Sequence, residues 1–111
     1  MPIQLAFQDE IIRKVCESPI SAKRKYGSAV ALALHARLAD LRAADSPIDL
    51  VELGFGKFDV EKDGLMIILL EEQYSVHVIS NHRPQPGAPG NLDWSKVTRV
   101  KILSIGRTNE S

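Results

Sequence analysis

Ile3, Leu5 and Phe7 alternate with Gln4 and Ala6, and this period of two predicts a short half-buried strand at the start of the chain. From Asp9 to Cys16 the period changes. Ile11, Ile12, Val15 and Cys16 gather on one side and Glu10, Arg13, Lys14 and Glu17 on the other, so a first helix is expected, ended by Ser18-Pro19. Lys23-Arg24-Lys25-Tyr26-Gly27 then reads as a turn relieved by glycine, with Ser28 as N-cap of a second helix running to about Ala44. Its apolar stripe is Val30, Leu34, Leu38 and Leu41, widened by Ala33 and Leu32, while Ser28, His35 and Arg42 share the opposite row. Ser46-Pro47-Ile48-Asp49 stops that helix and predicts a single capped turn, because serine suits the N-cap and proline the first helical position.

The rest of the chain reads as β structure. Val51 to Val60 is strand-like but interrupted by Gly54 and Gly56, Leu65 to Leu70 is a continuous apolar run suited to a central strand, and Tyr74 to Ser80 alternates. Glu71-Glu72-Gln73 is the expected hairpin turn. Asn81 to Asn91 holds three prolines and two glycines and predicts an irregular surface loop. In the last strand, Val97 to Ile105, Thr98, Val100, Ile102 and Ser104 are expected on one face and Arg99, Lys101, Leu103 and Ile105 on the other. The order predicts an α+β fold in one domain, 1–111, with an N-terminal strand and two helices packed on a twisted, mainly antiparallel sheet.

Composition narrows the picture little. At 111 residues, 44% of them hydrophobic and 25% charged, the chain can bury a core without disulfides or a structural metal. Fourteen basic residues cancel fourteen acidic ones, so any attraction to nucleic acid must come from local clusters. Cys16 is the single cysteine and excludes an intrachain disulfide; its place in an apolar helical pattern predicts a packing role. Leu65 to Leu70 falls far short of the ~20 residues of a membrane span. Met1 to Phe7 lacks the basic and apolar regions of a signal peptide. The expected location is cytoplasmic, with no membrane contact.

Most motifs fail their own tests. Leu53-Gly54-Phe55-Gly56 lacks the third glycine and the following helix of a dinucleotide loop, and reads as a turn or bulge. His35, His77 and His82 have no helical i, i+4 spacing and no cysteine partner set, so no metal or cofactor is expected. No nucleophile elbow is present. Basic residues do cluster, at Arg13-Lys14, at Lys23-Arg24-Lys25, and at Lys96, Arg99, Lys101 and Arg107, with Tyr26, Tyr74 and Trp94 as aromatic neighbours for base stacking. Lys23, Arg24, Lys25, Arg99 and Lys101 are the candidate RNA contacts.

Taken in order, Phe7, Arg13-Lys14-Val15-Cys16, Arg24-Lys25-Tyr26-Gly27, Arg37 to Ala44 (RLADLRAA) and Leu92-Asp93-Trp94-Ser95-Lys96-Val97-Thr98 resemble the HigB-like killer proteins, bacterial toxins of the RelE/ParE superfamily. The resemblance implies a toxin-like component of a type II toxin–antitoxin module, with two helices against the sheet. Its implied partners are a helix-turn-helix antitoxin encoded by a neighbouring gene, and the ribosome and mRNA. It also implies metal-independent mRNA cleavage, in which a 2′-hydroxyl attacks the adjacent phosphate while cations hold the developing charge.

At the family's functional positions this chain differs. A histidine position reads Gly56, a basic turn reads Val60-Glu61-Lys62-Asp63-Gly64, a Tyr-Arg pair reads Tyr74-Ser75, and an Asp-Tyr-His ending reads Arg107-Thr108-Asn109. Lys62 and Arg107 are the remaining catalytic candidates. One lost electrostatic contact of this kind costs about 3–4 kcal/mol of transition-state stabilisation, so the substitutions predict an eroded or remodelled nuclease site. The alternative is a catalytically silent module that keeps only antitoxin or other protein contacts.

Overall fold

In the computed structural model, which describes residues 3–59, 61–62, 64–88 and 91–107, strand β1 (Gln4–Phe7) turns into helix α1 (Glu10–Glu17) within two residues. Asp9 makes the turn abrupt: its carboxylate accepts from the backbone N–H of Ile12 at 2.9 Å. Ser18 closes α1 and opens a further helix, α2 (Pro19–Tyr26), which takes in most of the turn expected at Lys23 to Gly27. The Ser18 hydroxyl accepts from the N–H of Ser21 at 3.2 Å, and Pro19 occupies the first turn, where its missing N–H costs nothing. Proline therefore ends one helix and starts the next.

Helix α3 (Ser28–Ala43) is capped by Gly27 at φ 92°, with no side-chain cap, so Ser28 is its first helical residue rather than its N-cap. Val30, Leu34, Leu38 and Leu41 are buried as expected, whereas Leu32 is 76% exposed and does not widen the stripe. The predicted helical turn forms as α4 (Ile48–Glu52), but Pro47 is its N-cap rather than its first helical residue and no side chain caps it; the hydroxyl of Ser46 accepts from the N–H of Ile48 at 3.3 Å. Because Leu50 is pulled fully into the core, the helix takes Val51 and Glu52 out of the segment predicted as β, and β2 (Gly56–Phe58) starts only after Gly54 at φ 87°.

Strands β3 (Leu65–Leu69) and β4 (Tyr74–Ser80) form the expected hairpin around Glu71–Gln73. The loop predicted as irregular contains a two-stranded ribbon, β5 (Gly87–Ala88) with β6 (Asn91–Leu92), and the last strand is β7 (Arg99–Arg107). The main sheet runs β1-β7-β4-β3-β2; β1 lies parallel to β7 and the other pairs are antiparallel. The fold is α+β, with four helices among the described residues where the sequence predicts two and a single helical turn.

One sheet face is apolar and fully covered. Val76, Val78, Met66, Ile68, Val100 and Ile102 form one cluster with Leu34, Leu38, Leu41 and Leu50. Burial of each such side chain contributes roughly 1.5–3 kcal/mol. The expected face assignment of β7 holds only to Ile102. A bulge shifts the register between His77 and Val78, so Ser104 pairs with His77 and Ile105 with Val76. Ile105 thereby rejoins the core side and Ser104 turns outward, the reverse of strict alternation.

Among the described residues, Gly87 is the tightest glycine. At φ 101°, an added Cβ would lie 2.6 Å from both the Asn91 carbonyl oxygen and the Asp93 nitrogen. Gly87→Ala is therefore expected to lower stability by at least the roughly 1–3 kcal/mol of a strained left-handed residue. Thermal unfolding should show a lower midpoint; an unchanged midpoint contradicts this account of the ribbon.

Candidate nucleic-acid interface

Successive strand residues point to opposite faces, so covering one face of the sheet leaves the alternate residues outside. Registers place Lys57, Ile67, His77 and Ser104 in one row across β2, β3, β4 and β7. The next row runs Leu65, Ile79, Lys101 and Ala6, and Arg99 pairs with Gln4 beyond it. Adjacent strands lie about 4.8 Å apart, so Lys57 and His77 are separated by roughly 10 Å of backbone, within reach of one nucleotide unit. Lys57, Ser104 and Arg99 are exposed; Ile67, His77 and Lys101 are half-buried.

The β2–β3 turn lies beyond the Phe58–Met66 pair, along the strands from the first row. The carboxylate of Asp59 accepts from the N–H of Glu61 at 2.8 Å and of Lys62 at 2.9 Å, folding the chain so that Lys62 is exposed beside the row. These two hydrogen bonds, and then the nearby charges of Lys62 and His77, hold the Asp59 carboxyl below its ordinary range. A shallow cleft of about 320 Å³ opens here, lined by Lys57, Phe58, Asp59, Glu61 and Ile67.

Of the three histidines, only His77 stands on this face. His35 donates from Nε2 to the Val15 carbonyl at 3.1 Å, tying α3 to α1. His82 accepts at Nε2 from the N–H groups of Thr98, at 2.9 Å, and Arg99, at 3.2 Å, which anchors the long loop to the root of β7. Neither imidazole is placed to act on a ligand at the open sheet.

The other catalytic candidate, Arg107, is at the opposite end of the sheet. It pairs in register with Tyr74, and its guanidinium lies 5.4 Å from that ring. Tyr74 in turn packs edge-on against Tyr26, and Lys25 sits 5.8 Å from the Tyr26 ring. Lys62 and Arg107 are thus not brought together. Gly56 pairs with Ile68 on the covered face, where a Cβ would meet Met66 Cε at 3.0 Å, so a larger side chain there enters the core. Val60 and Asp63, and Thr108 and Asn109 of the ending, lie outside the described residues.

The basic clusters separate by environment. Lys23, Arg24 and Lys25 are exposed on α2, in the helical layer, whereas Arg99 and Lys101 belong to the sheet, so the five RNA-contact candidates do not share one surface. Arg13 lies between Glu10 at 3.7 Å and Glu17 at 3.6 Å and over the Phe7 ring, and Lys96 is 4.0 Å from Asp93. Trp94 is not a stacking platform: it is 9% exposed and stacks on Phe58 with centroids 4.7 Å apart.

Cys16 is buried in the core, and its burial pushes the thiol up to about 11. Among the described residues no cluster of three His, Cys, Asp or Glu side chains is placed to hold a metal, and no helix is long and apolar enough to cross a membrane. Comparison of the chain with protein-family models, with curated proteins and with solved structures gives no match.

Lys57 and Ser104, which share the row with His77, were within reach of the sequence only as members of alternating strands. The signal that joins them is register, which depends on the hairpin turn and the bulge.

Two titrations check this geometry. Followed by NMR, the Asp59 carboxyl should titrate below ordinary aspartate. Because the folded state favours its ionised form, that contribution to stability is present at neutral pH and is lost as the pH falls through the carboxylate range. A midpoint at or above the ordinary value rules out the capped turn. Cys16 should resist a thiol reagent at mildly alkaline pH in the native protein and react at once after denaturation; fast native labelling contradicts its burial.

Proposed function

We propose that this chain is a toxin-like component of a type II toxin–antitoxin module, of the HigB-like RelE/ParE kind, and that it acts on RNA through the open face of its sheet. The sequence resemblance supplies the class. The observation that carries the choice of surface is the row Lys57–Ile67–His77–Ser104 on the side of the sheet away from the helices, with Lys62 exposed in the β2–β3 turn. The positions where the family keeps its nuclease groups are substituted, and this row offers a different set with the same kinds of chemistry.

In this reading, the His77 imidazole takes the proton of an RNA 2′-hydroxyl. The 2′ oxygen bonds to the adjacent phosphorus, the bond from phosphorus to the 5′ oxygen breaks, and that oxygen takes a proton from water. Lys57, Lys62 and Lys101 offset the charge that builds on the phosphoryl oxygens. The exposed Ser104 hydroxyl, in register with His77, orients the substrate. Arg99 extends the cationic track toward the β1 edge. The chain remains the toxin-side partner of a helix-turn-helix antitoxin, expected from an adjoining gene, with translated mRNA on the ribosome as substrate.

Inducing the chain alone in a bacterial host should arrest growth and cleave translated mRNA, and co-expression of the adjoining helix-turn-helix gene should relieve the arrest. His77→Ala should reduce cleavage by roughly 10²-fold or more, the usual contribution of a positioned proton-transfer group. Lys101→Ala should weaken RNA binding and flatten its salt dependence. Arrest with undiminished cleavage in His77→Ala removes the proposed site. No arrest and no RNA binding removes the enzymatic reading and leaves a protein-binding module.

A further inference from the structure

We infer that β1 is the contact edge of a twofold homodimer, in which the β1 strands of two copies pair antiparallel about Ala6 and join the two five-stranded sheets edge to edge. The first observation is the backbone. Gln4 and Gln8 donate to the Thr98 and Ile102 carbonyls at 2.9 Å each, so alternate residues of this segment turn their backbone groups toward β7. Leu5 and Phe7 turn theirs the other way, and among the described residues no strand lies beside them and no hydrogen bond engages them. The sheet's other edge, β2, carries Lys57, the kind of charge that guards such a border. Gln4-Leu5-Ala6-Phe7 carries neither charge nor proline.

The second observation is that this edge complements itself. Leu5 and Phe7 share the side of the sheet that holds Val100 and Ile102, and both are half-buried. With the axis at Ala6, Leu5 of each copy stands opposite Phe7 of the other. Each such pair exchanges both of its outward backbone hydrogen bonds and sets an aliphatic side chain against an aromatic one. Ala6 faces its own copy on the open side of the sheet, where a methyl group lets the strands approach closely. A cleft of about 530 Å³ runs beside the edge, and Arg13, Glu17 and Arg42 line it together with Leu5 and Phe7. Arg13 and Glu17 are one helical turn apart on α1, 3.6 Å from each other. A twofold reverses their order, so each copy offers a carboxylate to the other's guanidinium.

Other occupants fit less well. RNA meets the Glu17 carboxylate here and finds no open aromatic face, since the Arg13 guanidinium lies over the Phe7 ring at 5.1 Å. A strand from an unrelated protein can use the same backbone groups. The edge, however, is matched by an aliphatic, a small and an aromatic residue in succession with both signs of charge beside them, and that is what β1 itself presents. The pairing has a consequence for the open face. Gln4 and Ala6 are in register with Arg99 and Lys101, so the two β7 strands stand three strand spacings apart, roughly 14 Å, and their cations form one tract. The inference rests on β1 and does not depend on the RNA reading of the sheet.

Sedimentation velocity of the full chain, from micromolar to millimolar concentration and without nucleic acid, should show a monomer–dimer equilibrium. Amide hydrogen exchange locates the contact: the N–H groups of Leu5 and Phe7 should become protected as concentration rises, while those of Gln4, Ala6 and Gln8 are protected throughout. Ala6→Glu and Ala6→Lys each set like charges face to face at the axis and should raise the dimer dissociation constant by about tenfold. Both side chains project from the open face, away from the core. Mixing the two variants in equal amounts should restore a dimer that contains one of each. The inference is overturned if the chain stays monomeric, if Leu5 and Phe7 exchange at the same rate at every concentration, or if each variant dimerises as tightly as the parent. It is equally overturned if the mixture does not recover or if association requires added RNA. Should a variant fail to fold, the exchange measurement on the unaltered chain decides.

Discussion

One-sided burial governs this molecule. The stripe of Leu34, Leu38 and Leu41 on α3 meets the alternating positions Val76, Val78, Met66, Ile68, Val100 and Ile102 of the sheet, and the cluster closes when Leu50 and Trp94 seal its margins. Each of these side chains leaves water only if the helices sit on that face and no other. The opposite face of the sheet then carries the half-exposed and charged residues, together with buried Ser75 and Leu65. Every feature read as functional follows from this division into a covered and an uncovered side.

Backbone chemistry at a few points decides how residues are dealt onto the two sides. Ser18 with Pro19 converts an expected turn into α2, which carries Lys23, Arg24 and Lys25 onto the helical layer and away from the sheet. The bulge in β7 exchanges Ser104 and Ile105, placing a hydroxyl opposite His77 and an isoleucine against the core. The Asp59 carboxylate folds the β2–β3 turn and leaves Lys62 exposed in it. Histidine placement is equally local: His35 and His82 are committed to backbone groups, and this leaves His77 as the imidazole of the open face.

Charge sorting is the less obvious result. A chain with no net charge still separates its cations into a sheet-face set and a helix-face set, and some cations that look available in the sequence stand beside carboxylates, as Arg13 and Lys96 do. Trp94 illustrates the same point for aromatics. It reads as a stacking residue in the sequence and is spent on Phe58 and the core.

The sequence by itself determined what depends on near neighbours: the strand period at Ile3 to Phe7, the helix stripe from Val30 to Leu41, the helical turn after Pro47, the β3–β4 hairpin and the burial of Cys16. These are set by side-chain spacing of 2 or 3.6 residues and by local capping. Tertiary structure alone decided the parallel pairing of β1 with β7, the β7 bulge, the separation of Lys62 from Arg107 and the row that joins Lys57, His77 and Ser104. Those residues are distant in sequence, and the register that brings them together is fixed by hydrogen-bond pairing between strands and by core packing, neither of which leaves a periodic signal in the chain.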